Sequence, residues 1–311
     1  MEQAAPIALS RATPDGHARA AVLAAVAAVE CRSTPVIAYE SAGIVAVVGP
    51  EAAALSAADS LGDTMDCTVV VTDSTDRSQS TGGGSKGGNL IYAPVAGIRG
   101  YLGRFEIMLA GPNGPVGLGE VTIGRRWVDI ALDLTTPGFI SGELPPTGYY
   151  APAHDPIELA RALAEIPELV GSFEKPKFVN YDPELCAHGR SGIRACTRCL
   201  DACPASAITS LGERIEIDPN LCQGAGGCAT ACPTGAITYA YPWLGDTLEK
   251  LRAALRAYQE AGGNRPGILF QDAGAGQAVL TRLASRLPEY VIPVESEETG
   301  VVVIFEVISS R

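Results

Sequence analysis

The sequence lacks a long apolar run. No segment approaches the 18 or more consecutive apolar residues of a membrane-spanning helix, so we expect no membrane span. The N-terminal apolar run at 20–29 is short and rich in alanine. The residues before it mix acidic and basic side chains, unlike the basic region of a signal peptide. The run therefore predicts an ordinary helix, and we expect a cytoplasmic location.

An excess of positive charge is also absent. The 311 residues include 35 acidic and 23 basic side chains, which gives a formal net charge of −12. A surface of this sign repels the phosphates of nucleic acids and of anionic membranes, so neither is expected as a partner. The apolar content of 47% is enough for ordinary folded cores in two or three domains.

The glycine-rich stretches lack the signatures of nucleotide binding. The run 43–55 passes from a strand through Gly49 and Pro50 into a helix without the G-x-G-x-x-G pattern, so it predicts a plain strand–helix turn. The Ser/Gly-rich run 73–89 lacks the order G-x4-G-K-[ST] and predicts a flexible loop. Because no convincing set of general acid, base and nucleophile is present, we expect no catalytic site.

Cysteine is concentrated between Tyr181 and Pro242. The seven cysteines of this stretch, out of nine in the chain, are Cys186, Cys196, Cys199, Cys203, Cys222, Cys228 and Cys232. The stretch is an internal duplication, because 196–209 overlays 225–238 with the Cys-Pro pairs in register. Upstream, YDPELC overlays IDPNLC. The first thiols of the two repeats are therefore Cys186, displaced by an insert, and Cys222.

This spacing resembles that of bacterial dicluster ferredoxins, in which the run C-x2-C-x2-C-x3-C-P occurs twice. In that family the last cysteine of each run binds the other cluster. The resemblance implies a [4Fe-4S] cluster, cluster A, bound by Cys186, Cys196, Cys199 and Cys232. It implies a second cluster, cluster B, bound by Cys203, Cys222 and Cys228.

Two positions depart from the family pattern. The fourth ligand of cluster B should come from position 225, which is Ala225, and a methyl group cannot bind iron. Three thiolates suit a [3Fe-4S] cluster; the alternative is a [4Fe-4S] cluster with water, hydroxide or a small ligand on the open iron. In the first repeat, nine residues separate Cys186 from Cys196, where the family has two.

Other interpretations of these residues remain open. Structural zinc also uses C-x2-C pairs, but it leaves the repeat and the Cys-Pro ends unexplained. A disulfide framework lacks a secretory context. His188, within the insert, is expected to be a loop residue or a hydrogen-bond donor beside a ligand, with direct ligation of the cluster as the alternative.

The predicted fold class is α+β, with a central dicluster ferredoxin-like domain at 180–242 flanked by small α/β lobes. The first lobe covers 1–150, a helical linker covers 151–179 with Asp155 as the expected N-cap of its helix, and the last lobe covers 243–311. In the last lobe, a strand at 266–270, a helix at 276–287 and a strand at 290–294 predict a βαβ unit, and 300–308 predicts one more strand. Within the first lobe, short apolar runs predict an antiparallel β segment with strands at 90–95, 105–109, 116–123 and 127–134.

The implied clusters indicate an electron-transfer protein that passes single electrons between redox partner proteins. Segments such as LCAHGRSG and CTRCLDACPASAI also resemble a larger bacterial 4Fe-4S dicluster family, often encoded near formate dehydrogenases. That resemblance implies an alternative, an iron–sulfur subunit or accessory protein of an oxidoreductase complex such as a dehydrogenase. A third hypothesis is an enzyme that uses the open corner at Ala225.

Overall fold

The computed structural model describes residues 12–62, 64–73, 82–83, 89–122, 126–189, 195–272 and 275–296. The helices in chain order are α1 Pro14–Ala27, α2 Glu51–Leu61, α3 Leu118–Thr122, α4 Pro156–Glu165 followed by a 3-10 turn Ile166–Leu169, α5 Arg198–Asp201, α6 Gly227–Ala231, α7 Leu244–Glu260 and α8 Ala275–Leu283. The strands are β1 Val36–Ser41, β2 Ile44–Gly49, β3 Asp66–Val71, β4 Gly82–Gly83, β5 Asn89–Tyr92, β6 Val95–Arg99, β7 Glu106–Leu109, β8 Val116–Gly117, β9 Ile130–Asp133, β10 Tyr149–Tyr150, β11 Gly171–Pro176, β12 Val179–Tyr181, β13 Ile208–Ser210, β14 Ile215–Ile217, β15 Ile237–Tyr239, β16 Gly267–Asp272 and β17 Val291–Ser296.

The chain divides into two compact units. The larger contains 35–177 and 181–236, and the smaller contains 1–34, 178–180 and 237–311. The sequence-based division into four segments stays a prediction. The two units cut across it, because the N-terminal helix belongs to the same unit as the C-terminal lobe.

A six-stranded sheet with the order β10–β9–β2–β3–β5–β4 lies at the centre of the larger unit. Its strands pair in parallel, except that β4 pairs antiparallel with β5. All six residues of β2 are buried, as expected for an inner strand covered on both faces. Leu61 of α2 and Ile166 belong to the core on one face, and Phe105 and Ile107 to the core on the other.

The antiparallel segment predicted between 90 and 134 is only partly right. Strands β6, β7 and β8 do form an antiparallel sheet, but β5 and β9 join the parallel sheet instead. The run 116–123 is not a continuous strand, because after the two residues of β8 it turns into α3. The four residues of β9 are all buried, so its apolar run carries no alternation that could have indicated its pairing.

The turn from β2 into α2 is closely packed against the end of β9. A Cβ atom on Gly49 would lie 2.7 Å from the Cβ of Leu134, so glycine allows the ends of β2 and β9 to approach closely. At the start of α2, the Glu51 N–H donates to Asp73 and the Tyr92 hydroxyl donates to the Glu51 carboxylate. Two carboxylates at this helix end would repel a phosphate. The arrangement agrees with the plain strand–helix turn that the sequence predicts.

The smaller unit contains the predicted βαβ arrangement, because β16 and β17 pair in parallel and α8 connects them. Helix α1 contacts this lobe through a small core that includes Val22, Tyr258 and Ile292. The Asp15 carboxylate accepts hydrogen bonds from the Tyr258 hydroxyl at 2.7 Å and the Asn264 N–H at 2.8 Å. The last predicted strand, 300–308, lies outside the described residues. Among the described helices, none combines the length and apolarity that crossing a bilayer requires.

Candidate iron–sulfur centre

The duplicated cysteine stretch folds as two copies of one strand–helix–strand unit. The first copy is β12, α5 and β13, and the second is β14, α6 and β15. The strands are exchanged, since β12 pairs with β15 and β13 with β14. Equivalent backbone bonds accompany this exchange: the Asp182 N–H donates to the Ala236 carbonyl and the Asp218 N–H to the Ala207 carbonyl, both at 2.8 Å. The repeat in the sequence is therefore also a structural repeat.

A first group of thiols forms around Cys199. Burial raises the pKa of the Cys199 thiol, and the nearby charges of Cys186 and Cys196 raise it further. The buried Tyr181 hydroxyl faces the Cys186 sulfur, and the Ile215 backbone lies beside the same oxygen. Burial and this contact raise the pKa of Tyr181 to about 12. The structure thus brings together three of the four cysteines assigned to cluster A.

A second group forms around Cys228. Burial raises the pKa of the Cys228 thiol to about 11, and the charges of Cys222 and Cys203 add to the effect. A Cβ atom on Gly227 would lie 3.0 Å from the Ala202 carbonyl, so glycine permits a close approach of α6 to the end of α5. This approach brings Cys203, a residue of the first repeat, to the cysteines of the second.

The sulfur atoms accept hydrogen bonds from the backbone. The Ala207 N–H donates to the Cys203 sulfur at 3.3 Å. Burial raises the pKa of Cys222 and Cys228, and backbone N–H groups at Gly224 and Ala229 partly offset that rise. These donors stabilise the thiolate form, which is the form that binds metal. Local backbone geometry therefore prepares the sulfurs as ligands.

Cys232 is half-buried, and its sulfur lies 3.6 Å from the Thr234 hydroxyl oxygen. Among the described residues, no three His, Cys, Asp or Glu side chains converge as the ligands of a single metal ion do. The thiolates of an iron–sulfur cluster bind different irons, so their sulfurs lie farther apart than the ligands of one zinc ion.

The insert between Cys186 and Cys196 is closed at its base. The Ala195 N–H donates to the His188 carbonyl at 3.0 Å, so the two ends of the insert are adjacent. Residues 190–194 lie outside the described residues. This hydrogen bond joins the two described ends of the insert between Cys186 and Cys196.

The His188 side chain holds this base in place. It is 1% exposed, with Nδ1 2.6 Å from the Cys196 carbonyl oxygen and Nε2 2.7 Å from the Ser210 hydroxyl oxygen. Both ring nitrogens are thus engaged by oxygen atoms. This geometry agrees with a hydrogen-bonding role beside a ligand rather than with ligation by the ring.

Position 225 lies in an exposed loop of the second repeat. Ala225 stands between Gly224 and Gly226, whose φ angles of 78° and 74° are readily adopted only by glycine. Next to Cys222, the buried Gln223 side-chain nitrogen has no hydrogen-bond partner within the described part of the chain. A corner of the site without a thiol therefore faces solvent.

The Gln223 amide and the Tyr181 hydroxyl provide a test of whether an iron–sulfur group fits here. The buried Gln223 side-chain nitrogen has no hydrogen-bond partner among the described residues, and the Tyr181 hydroxyl has the Cys186 sulfur as its partner. A buried donor without an acceptor is costly to folding. Sulfide and thiolate sulfurs of bound clusters would supply acceptors at both places. The residues present fit the group.

The α/β part of the larger unit reaches the second group of thiols through Lys175 of β11. The Lys175 Nζ donates to the carbonyls of Asn220 at 2.7 Å and Cys222 at 2.8 Å, and it lies 5.1 Å from the centre of the Tyr39 ring. The Tyr39 hydroxyl donates to the same Asn220 carbonyl at 2.8 Å. Burial lowers the pKa of Lys175 to about 8, against the opposing effects of Cys222 and Asp218.

Sequence reasoning missed the roles of Lys175, Tyr39, Tyr181 and Gln223. The acceptors of Lys175 are backbone carbonyls, up to 47 positions along the chain, which no side-chain pattern marks. Tyr181 and Gln223 stand next to the cysteine motifs, but only the structure shows that Tyr181 contacts Cys186 and that the buried Gln223 nitrogen lacks a partner among the described residues.

The cysteine stretch is similar to known iron–sulfur domains. Residues 194–236 match the family described as the 4Fe-4S dicluster domain. An uncharacterised ferredoxin of Methanocaldococcus jannaschii is 39% identical over 57 residues, which are 18% of this chain and 31% of that ferredoxin. The chain thus spans about a third of the length of this relative. Together the matches support a ferredoxin-type 4Fe-4S domain in this part of the chain.

Proposed function

We propose that the protein is an iron–sulfur electron-transfer protein that carries two clusters. The observation that supports this most strongly is the grouping of Cys203, from the first repeat, with Cys222 and Cys228 of the second. This exchange of the last cysteine between repeats is the arrangement that dicluster ferredoxins use. When bound, the clusters supply one-electron redox chemistry.

The proposed ligands follow the two groups of thiols. Cluster A is a [4Fe-4S] cluster bound by Cys186, Cys196, Cys199 and Cys232, where Cys232 is placed by the family pattern. Cluster B is bound by Cys203, Cys222 and Cys228. With Ala225 at the fourth position, a [3Fe-4S] cluster is the proposed form of cluster B, and an open [4Fe-4S] cluster is the alternative.

The protein's own groups orient the thiols and set the potentials. Backbone N–H groups that donate to sulfur, as at Cys203, stabilise negative charge and so favour the reduced state. Burial of Cys199 and Cys228 restricts access of water to the sulfurs. Clusters and unpaired thiols of this kind need a reducing compartment, so we propose a cytoplasmic location.

The test is iron and sulfide analysis, with EPR spectroscopy of the anaerobically purified, oxidised protein. We expect about seven irons per chain and a sharp signal near the free-electron value, because an oxidised [3Fe-4S] cluster is paramagnetic and an oxidised [4Fe-4S] cluster is silent. About eight irons without that signal would establish the open four-iron form instead. Zinc without sulfide would contradict the proposed function altogether.

A second candidate function is an iron–sulfur subunit or accessory protein of an oxidoreductase complex such as a formate dehydrogenase. The observation that favours it is the large α/β part, 35–177, which shares one unit with the cysteine stretch and which a simple carrier does not need. Reduction of the protein by a purified formate dehydrogenase with formate, within a complex stable to gel filtration, would favour this candidate. Reduction without a stable complex would favour a free carrier.

A further inference from the structure

The Lys175 ammonium group is the cation that the described structure places against the loop of cluster B. It donates to the carbonyl of Cys222, a proposed ligand, and to that of Asn220. The carbonyl and the sulfur of one cysteine are only a few bonds apart, so the charge lies close to the cluster's ligand. We propose that Lys175 sets the reduction potential of cluster B and positions its ligand loop, an inference that rests on the proposed function.

The surroundings of Nζ are those of an ammonium ion. An ammonium has three N–H donors and no acceptor. The groups around Nζ are two carbonyl oxygens and the face of the Tyr39 ring, all of which attract positive charge. Lys175 is half-buried, so solvent and salt screen its charge less than that of an exposed lysine.

The sign of the effect follows from the charge that reduction adds. Each electron makes the cluster more negative, and a fixed positive charge nearby stabilises that state. Lys175 therefore raises the reduction potential of cluster B. Asp218, which lies near Lys175, acts in the opposite direction.

Lys175 and Tyr39 both hold the loop before Cys222, since both donate to the Asn220 carbonyl. Substitutions at the two residues therefore distinguish the effect of the positive charge from the effect of holding the loop. Tyr39→Phe removes one of the bonds that anchor the loop and leaves the positive charge in place. Lys175→Met removes the charge and keeps most of the side-chain volume. Lys175→Arg keeps the charge.

The experiment is redox titration of both clusters, followed by EPR, in the four full-length proteins after their iron and sulfide contents have been measured. We expect Lys175→Met to lower the equilibrium constant for reduction of cluster B about tenfold, which is 59 mV for one electron. Lys175→Arg and Tyr39→Phe should change it less than about twofold, and cluster A should be unchanged in all variants.

The outcomes separate this inference from the proposed function. Absence of clusters from the unmodified protein would contradict the proposed function. Two clusters with an unchanged cluster B potential in Lys175→Met would overturn only the role of Lys175, as would an equal shift in Tyr39→Phe. If the Lys175→Met protein does not retain cluster B, the potential is measured in Lys175→Gln, which also removes the charge. Loss of cluster B in the Met, Gln and Arg variants alike would also overturn the inference.

Discussion

At the scale of the residue, the composition proposed for cluster B depends on Ala225. It occupies the position where the family supplies a thiolate, in a loop whose flanking glycines already adopt the left-handed conformation. The exposure of Ala225 means that an iron at this corner would meet solvent. An unligated iron in contact with water is readily lost, which is the physical reason to expect three irons.

Ala225→Cys should convert cluster B to a [4Fe-4S] cluster. We expect the iron content to rise by about one per chain and the EPR signal of the oxidised protein to disappear, because the new thiolate retains the fourth iron. Thr230→Cys is the matched control, since it adds a thiol at an exposed position of α6. An unchanged iron content and spectrum in Ala225→Cys would refute the assignment of position 225.

At the scale of the element, the insert of the first repeat shows how a departure from the family spacing is accommodated. His188 and Ala195, which lie on either side of the part of the insert outside the described residues, are joined by a backbone hydrogen bond. The buried His188 ring then connects this base to β13 through Ser210. The two ends of the insert are therefore held together although more residues separate the two cysteines than in the family pattern.

His188→Ala should weaken cluster A while leaving cluster B in place. The substitution leaves the Cys196 carbonyl and the Ser210 hydroxyl buried without the ring, at a cost of about 1–3 kcal/mol in the free energy of unfolding. Denaturant unfolding and the rate of bleaching of each cluster would measure the effect. His154→Ala, at an exposed histidine elsewhere in the larger unit, is the control. Equal bleaching of cluster A in both variants would contradict the role of His188.

The features that can be predicted from the sequence are those that depend on neighbouring residues, such as helix caps and the order of helices and strands. Asp155 caps α4 as expected, accepting bonds from the Ile157 and Glu158 N–H groups, and the βαβ order of the last lobe is confirmed. The pairing of β9 is not predictable, because a fully buried strand has no polar face. The position of Lys175 is also beyond prediction, because its acceptors are backbone atoms distant in sequence.

At the scale of the whole molecule, the net charge of −12 sets how the protein meets its partners. Negative charge attracts basic proteins over distances longer than a contact, and salt screens this attraction. A basic redox partner is therefore favoured over an acidic one. The sign belongs to the chain as a whole and does not depend on any single side chain.

The rate of electron transfer from the reduced protein to cytochrome c, a basic acceptor, should fall about tenfold or more as ionic strength rises. Salt screens the attraction between the acidic chain and the acceptor. Stopped-flow absorbance would measure the rate. Ferricyanide, an anionic acceptor, is the control, and its reduction should speed up with salt because screening relieves repulsion. The same salt dependence for both acceptors would contradict electrostatic steering.

The membership of α1 in the smaller unit has a consequence for biosynthesis. Helix α1 is synthesised more than two hundred residues before its partner Tyr258 on α7. All the residues of the larger unit are synthesised before that partner appears. The nascent chain can therefore fold the cysteine-bearing unit before the residues that pack against α1 have been synthesised.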